Sequence, residues 1–176
     1  YFQENNTAYI VMEYIEGIDL ECYFRQNKKI KPEDVFRMLF PVMLTLGKVH
    51  ENKIIHRDIS PDNLILTKST NGEIPVVKLI DFGSARNYVD EKTQTIDFKA
   101  GYTPPEQYHN NNPGPWTDVY ALCAVMYRGI TGKKPVNALV RVENNELQMP
   151  SQMGILIDHR LEQILKKGLS VKWENR

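Results

Sequence analysis

The octet His56-Arg57-Asp58-Ile59-Ser60-Pro61-Asp62-Asn63 sets a carboxylate and an amide five positions apart, at Asp58 and Asn63, between two short apolar runs. A second carboxylate, Asp81, stands ahead of Phe82 and Gly83 and directly after the stretch Val76–Ile80. Phosphoryl transfer asks for few protein groups. A carboxylate must accept the proton of the attacking hydroxyl, and oxygen ligands must hold Mg2+ against a triphosphate. One loop with a carboxylate and an amide, facing a second loop with another carboxylate, supplies both.

Such loops need a scaffold. Residues 8–15, AYIVMEYI, are rich in β-branched and aromatic types and predict a buried strand. Gly17 breaks it, and Asp19 is placed to cap a short helix from Leu20. A longer helix starts at Pro32, with Glu33 and Asp34 in the turn where the helix dipole favours acids. Val35, Met38, Leu39, Val42, Met43, Leu46 and Val49 repeat at helical spacing, and Pro41 among them predicts a kink without a break. Short strands are expected near Leu64–Leu66 and Val76–Ile80, with Asn71-Gly72 as the turn. Residues 84–115 show no sustained period. Thr117–Ile130 is apolar on nearly every side and predicts a buried central helix; a polar stretch over 133–151 then leads to an amphipathic helix over Leu156–Leu169. The inventory is mainly α with a few short strands, a helical lobe in place of an open sheet.

Bulk composition removes several function classes. Lys+Arg and Asp+Glu both number 22 in 176 residues, so the balanced charge gives no reason to expect a nucleic-acid partner. The two cysteines, Cys22 and Cys123, sit apart in apolar segments, outside any metal-binding spacing, and read as reduced core residues of an intracellular, cytoplasmic protein. The longest clean apolar run, residues 121–127, is far too short to span a membrane.

The order H-R-D-x-x-x-x-N, then D-F-G, then Pro104-Pro105-Glu106 resembles the signature set of protein kinases, with proline where the last motif usually has alanine. GYTPPEQY beside HRDISPDN resembles the bacterial serine/threonine branch. The resemblance implies a kinase C-terminal lobe over residues 19–176, preceded by the last strand of the N-terminal lobe and the hinge over 1–18, with an activation segment over about 81–106. It implies Asp58 as the base that orients the substrate hydroxyl, and Asn63 and Asp81 as ligands for Mg2+ (Mn2+ as an alternative). Met12 takes the gatekeeper place, Glu13, Tyr14 and Ile15 offer backbone groups to the adenine of ATP, and Asp19 and Ile65 belong to the same nucleotide site. His56 and Phe82 are packing residues joining the two loops, Asp118 holds the catalytic-loop backbone, and Arg176 pairs with Glu106. His50, His109 and His159 have no partners at motif spacing. Arg57 beside Asp58 implies control by a phosphate on Thr93 or Thr95, because a guanidinium grips phosphate bidentately.

Two positions depart from the family pattern. The residue two after the catalytic aspartate is usually lysine, and here it is Ser60. The residue three before the platform tyrosine, Tyr102, is usually threonine, and here it is Lys99. The expectation is that the Lys99 ammonium reaches the phosphate region in place of a residue-60 lysine, with the Ser60 hydroxyl as hydrogen-bond partner.

No G-x-G-x-x-G loop and no lysine strand of V-A-I-K type occurs, and Lys78 lies on the wrong element to replace it. The chain therefore reads as a piece of a longer serine/threonine kinase, inactive by itself, acting on a protein substrate as part of its parent, with self-association through the surface the missing lobe would cover. Two other readings stay open: a pseudokinase scaffold, favoured by Ser60, and a small-molecule phosphotransferase, which shares the D-x-x-x-x-N loop but lacks the segment from D-F-G to P-E.

Overall fold

In the computed structural model, residues 1–28, 30–68, 75–87, 98–108, 112–144 and 146–176 are described. Strands β1 (Phe2–Glu4) and β2 (Thr7–Tyr9) form an antiparallel hairpin closed by Asn5 and Asn6, both at positive φ, which asparagine tolerates better than most residues. The buried strand expected over 8–15 is not found. Strand structure stops at Tyr9, and Ile10, Val11, Met12 and Tyr14 are largely exposed. Strand-favouring residues need cross-strand and same-face neighbours, and no described element covers these.

Strand β3 (Gly17–Asp19) leads into α1 (Leu20–Gln26). Gly17 is demanded by close approach, since a Cβ there would lie 2.3 Å from the Leu66 carbonyl oxygen. Helix α2 (Pro32–Glu51) runs through Pro41 as one element and buries Val35, Leu39, Val42 and Leu46. Each such side chain taken from water contributes roughly 1.5–3 kcal/mol. Strand β4 (Ile54–Ile55) precedes a single 3-10 turn over Pro61–Asn63, and β5 (Leu64–Thr67) pairs antiparallel with both β3 and β6 (Val77–Leu79). Strand β7 (Arg86–Asn87) pairs with β4.

The remaining helices are α3 (Pro105–Tyr108), α4 (Pro115–Thr131), α5 (Ala138–Asn144) and α6 (His159–Gly168). Helix α4 is the centre. Every residue from Tyr120 to Ile130 is buried, and α2 and α6 pack against it. At Gly129 a Cβ would meet the Phe24 ring at 2.9 Å, so the missing side chain lets α1 approach α4. Helix α6 starts at His159, later than expected, because the Asp158 carboxylate caps it by accepting from the Arg160 and Leu161 N–H groups. Cys123 is buried in α4, where desolvation pushes its thiol up to about 12. Cys22, expected in the core, is exposed on the outer side of α1. Among the described residues no helix is long and apolar enough to cross a membrane.

Candidate active site

The loop after β4 is held from below by one carboxylate. Asp118, in the first turn of α4 and fully buried, accepts the Arg57 N–H on Oδ1 at 2.9 Å and the His56 N–H on Oδ2 at 2.9 Å. His50 Nε2, from the end of α2, lies 2.8 Å from Asp118 Oδ2. His50, which has no partner at motif spacing, is thereby a satisfied histidine; 68 residues of sequence separate two groups that the α2–α4 packing joins. Three donors around one buried carboxylate offset its desolvation. Arg57 itself sits at φ 69°, a left-handed conformation costly for a side-chain-bearing residue, which the surrounding bonds enforce. Its carbonyl accepts Nε2 of Gln107 at 2.6 Å, tying the loop to α3.

His56 is buried against the second loop. Its Nε2 lies 3.2 Å from the Ile80 carbonyl, and its ring meets Phe82 edge-on at 4.7 Å between centroids. Desolvation lowers its pKa below the usual histidine value, outweighing the nearby carboxylates that would raise it. The imidazole packs between the two loops, with Nε2 toward a carbonyl and its ring against Phe82.

Asp58 and Asn63 touch. The Asn63 amide Nδ2 donates to the Asp58 backbone carbonyl at 2.7 Å and to Oδ2 of its carboxylate at 2.8 Å. The Asn63 backbone carbonyl accepts the Ile80 N–H at 3.0 Å, so Asp81 follows one residue after this junction. Asp81 is itself left-handed at φ 62°, with Oδ1 accepting the Gly83 N–H at 3.0 Å. Among the described residues no three His, Cys, Asp or Glu side chains gather as a metal cluster. The donor set here is different. With Nδ2 spent on Asp58, the Asn63 amide keeps its oxygen for a ligand, and the exposed Asp81 carboxylate keeps Oδ2. Two hard oxygens are the ligand type that Mg2+ takes.

Lys99 reaches the same loop from the other side. Its Nζ lies 2.9 Å from Ser60 Oγ and 3.2 Å from Asp58 Oδ1, with Ser60 wholly buried. The Lys99 backbone is clamped: its N–H donates to Thr103 Oγ1 at 3.0 Å, and its carbonyl accepts the N–H groups of Tyr102 and Thr103 at 2.9 and 3.1 Å.

The expected nucleotide-side residues occupy the connection from β2 to β3. Met12, Glu13 and Tyr14 are exposed there, Ile15 is half-buried, and Glu13 is paired with Lys78 of β6 at 3.2 Å. Asp19 stands opposite Ile65 in the β3–β5 register. Its carboxylate is engaged in capping α1, accepting the Cys22 N–H at 2.7 Å. Glu106 and Arg176 form the expected pair, Nη1 donating to Oε1 at 2.5 Å and Nη2 to Oε2 at 3.2 Å, out of solvent. Thr117 Oγ1 adds a third bond to Glu106 at 3.1 Å. Thr93, Thr95, His109 and the Asn71-Gly72 turn lie outside the described residues; His159 is exposed at the start of α6. The sequence reading missed Thr103, Gln107 and Thr117. The stretch GYTPPEQY holds two of them, but its family pattern gives roles to Tyr102 and the Pro-Glu pair alone.

Comparison with known proteins agrees with this geometry. Residues 1–174 match the family described as protein kinase domain. The serine/threonine-protein kinase PknB of Mycobacterium leprae is 32% identical over 180 residues, covering 96% of this chain and 28% of that protein. PrkC of Bacillus subtilis, also named a serine/threonine-protein kinase, is 30% identical over 136 residues, 76% of this chain and 20% of that protein. The chain thus spans less than a third of these curated relatives. The solved structure titled PpkA-294 apo form superposes with a TM-score of 0.77 at 33% identity, covering 99% of this chain and 61% of that one.

Proposed function

Given that the chain belongs to the protein kinase family, in its bacterial serine/threonine branch, we propose that it is the part of a serine/threonine kinase that carries the phosphoryl-transfer loop and the peptide platform. One observation carries the reading: the contact of Asn63 with both the backbone and the carboxylate of Asp58, beside the junction to Asp81.

Asp58 receives the hydroxyl proton of a protein serine or threonine, and Asn63 holds its carboxylate in one orientation through the 2.8 Å bond. The Asn63 amide oxygen and the Asp81 carboxylate are the ligands for Mg2+ or Mn2+. Bound metal neutralises charge on the phosphates of ATP. The backbone over 12–15 is the edge that meets adenine, and Ile65, opposite Asp19 in the β3–β5 register, belongs to the same nucleotide site. The Glu106–Arg176 pair and the Gln107–Arg57 bond hold the platform for the protein substrate against the loop.

The 176 residues contain no glycine-rich phosphate loop and no lysine strand. They therefore correspond to hinge and C-terminal lobe, and alone they bind ATP weakly and transfer nothing. The exposed apolar run Ile10–Met12 with Tyr14 fits a surface that a covering lobe, or a second copy in isolation, would bury. A cytoplasmic setting fits two free thiols and a reaction that consumes ATP.

The test is γ-labelled ATP given to the full-length polypeptide, with Asp58→Asn as control. Label recovered as phosphoserine or phosphothreonine, and lost in the control, supports the reading. Label found only on small-molecule acceptors, or unchanged in the control, overturns it.

A further inference from the structure

The ammonium nearest the proposed base does not come from the base's own loop. Lys99 lies 39 residues beyond Ser60 in sequence, yet its Nζ is within 2.9 Å of the Ser60 hydroxyl and 3.2 Å of Asp58 Oδ1. Ser60 is fully buried, while the Lys99 and Asp58 side chains keep 26% and 17% of their surface exposed. The pair therefore lines an opening, where an anion can still approach. Asp58 already has Asn63 as a hydrogen-bond donor. A cation added to a proposed proton acceptor is chemically awkward unless its task is to face incoming negative charge, and the transferring phosphoryl group brings that charge.

What fixes Lys99 is equally informative. It opens a tight turn closed by local bonds: Lys99 N–H to the Thr103 hydroxyl, and the Tyr102 and Thr103 N–H groups to the Lys99 carbonyl. The same turn contains Tyr102 and runs directly into Pro104 and α3, the platform that Gln107 joins to the Arg57 carbonyl. Among the described residues, the Lys99 ammonium reaches Ser60 and Asp58. The charge of the site thus depends on the seating of the 98–104 stretch on the loop, whereas a lysine at position 60 would be held by the loop alone.

We propose that Lys99 is the cation facing the transferring phosphoryl group, that Ser60 is its seat, and that the site is electrostatically complete only when the 98–104 stretch is docked, so that platform order and phosphate stabilisation are one event. The proposal rests on the kinase reading above and deepens it by naming how the site is controlled. No bond is made or broken by Lys99; it moves from Asp58 toward the phosphoryl oxygens as negative charge arrives there.

The experiment uses the full-length polypeptide and four forms: wild type, Asp58→Asn, Lys99→Met, and Lys99→Ser combined with Ser60→Lys. Methionine keeps the aliphatic stem, and a melting curve of each form checks folding. Two readouts are taken: kcat and KM for a protein substrate, and hydrogen exchange of the amides of residues 99–103 with and without Mg-ATP. We expect Lys99→Met to lose about 10²-fold or more in kcat, as for removal of one stabilising group from a transition state, with KM for the protein substrate moving less than about threefold. Nucleotide should slow exchange over 99–103 in wild type and not in Lys99→Met. The relocated lysine should recover at least about tenfold in kcat without recovering the protection. Unchanged or raised kcat in Lys99→Met overturns the proposal, the raised value marking Lys99 as a lock on Asp58. Failure of the relocated lysine to recover kcat in a folded variant also overturns it. Retained transfer in Asp58→Asn would instead remove the kinase reading itself, which separates the two failures.

Discussion

The guanidinium of Arg176 grips both carboxylate oxygens of Glu106, seventy residues away, with neither side chain exposed beyond 3%. The pair joins the last described turn of the chain to the start of the platform helix α3, and Thr117 from α4 completes the carboxylate's bonding. A planar fork matched to a carboxylate in a dry setting is demanding of both partners.

Removing either partner therefore strands a buried charge. Arg176→Ala or Glu106→Ala should each destabilise the fold by about 3–5 kcal/mol, and the double variant should cost clearly less than their sum. Urea unfolding of the three variants measures this. Additive losses would show that the two groups act independently.

Asp118 has no exposed surface and three donors pointing at it. Asp118→Ala leaves the His56 and Arg57 N–H groups and His50 in a buried site without their acceptor, at about 1–3 kcal/mol for each group left unsatisfied. Because two of those donors are backbone of the loop that carries Asp58, exchange of the His56 and Arg57 amides should accelerate in the folded protein. Unchanged exchange at those amides would mean that Asp118 does not hold the loop.

His56 makes stability fall on the acid side of neutrality. Its folded pKa lies below the ordinary value because burial disfavours the imidazolium. Between that lowered value and about 6.5 the unfolded chain binds a proton that the folded chain refuses, so stability declines as pH drops through this window. Above it both states are neutral and His56 contributes no slope. Unfolding at about pH 7.5 and about pH 5.5 should show a loss in wild type that is smaller in His56→Phe. An equal loss in both would place the sensitivity elsewhere.

Asp19 gives a slope of the same sign in a more acidic window. Burial alone would raise its pKa, but the bonds from Cys22 at the α1 cap outweigh this and hold the carboxyl below its usual value. Its capping contribution is present above the ordinary carboxylate pKa and fades as pH falls through the lowered one. Asp19→Ala should cost about 1 kcal/mol near neutral pH, and the difference from wild type should vanish in strong acid. A gap that persists in acid would exclude capping as its source.

The site was legible because its chemistry is local in sequence. Asp58 and Asn63 share one loop, and five residues fix their reach. The apolar periods of α2 and α4 were legible for the same reason, being written in consecutive turns. The His50–Asp118 contact was not, since it depends on how two helices cross, and no single-segment pattern carries that angle. The stretch over 8–15 misled because strand propensity reports suitability for packing and says nothing about whether a neighbour is there. Helix α5 was missed in a polar stretch because only Ala138 and Arg141 of its seven residues are buried. The left-handed backbone at Arg57 and Asp81 left no trace in residue type, since neither is glycine or asparagine.

The central claim is that positions 58, 63 and 81 form one reacting site, and a double-variant cycle on kcat tests it most directly. In the full-length polypeptide, Asp58→Asn and Asp81→Asn should each lower phosphoryl transfer by about 10²-fold or more. The double variant should then be little worse than the poorer single one, as expected for groups that act as a unit. Losses that multiply, or an Asp81→Asn enzyme that transfers at the wild-type rate, would show that the two carboxylates do not serve the same event.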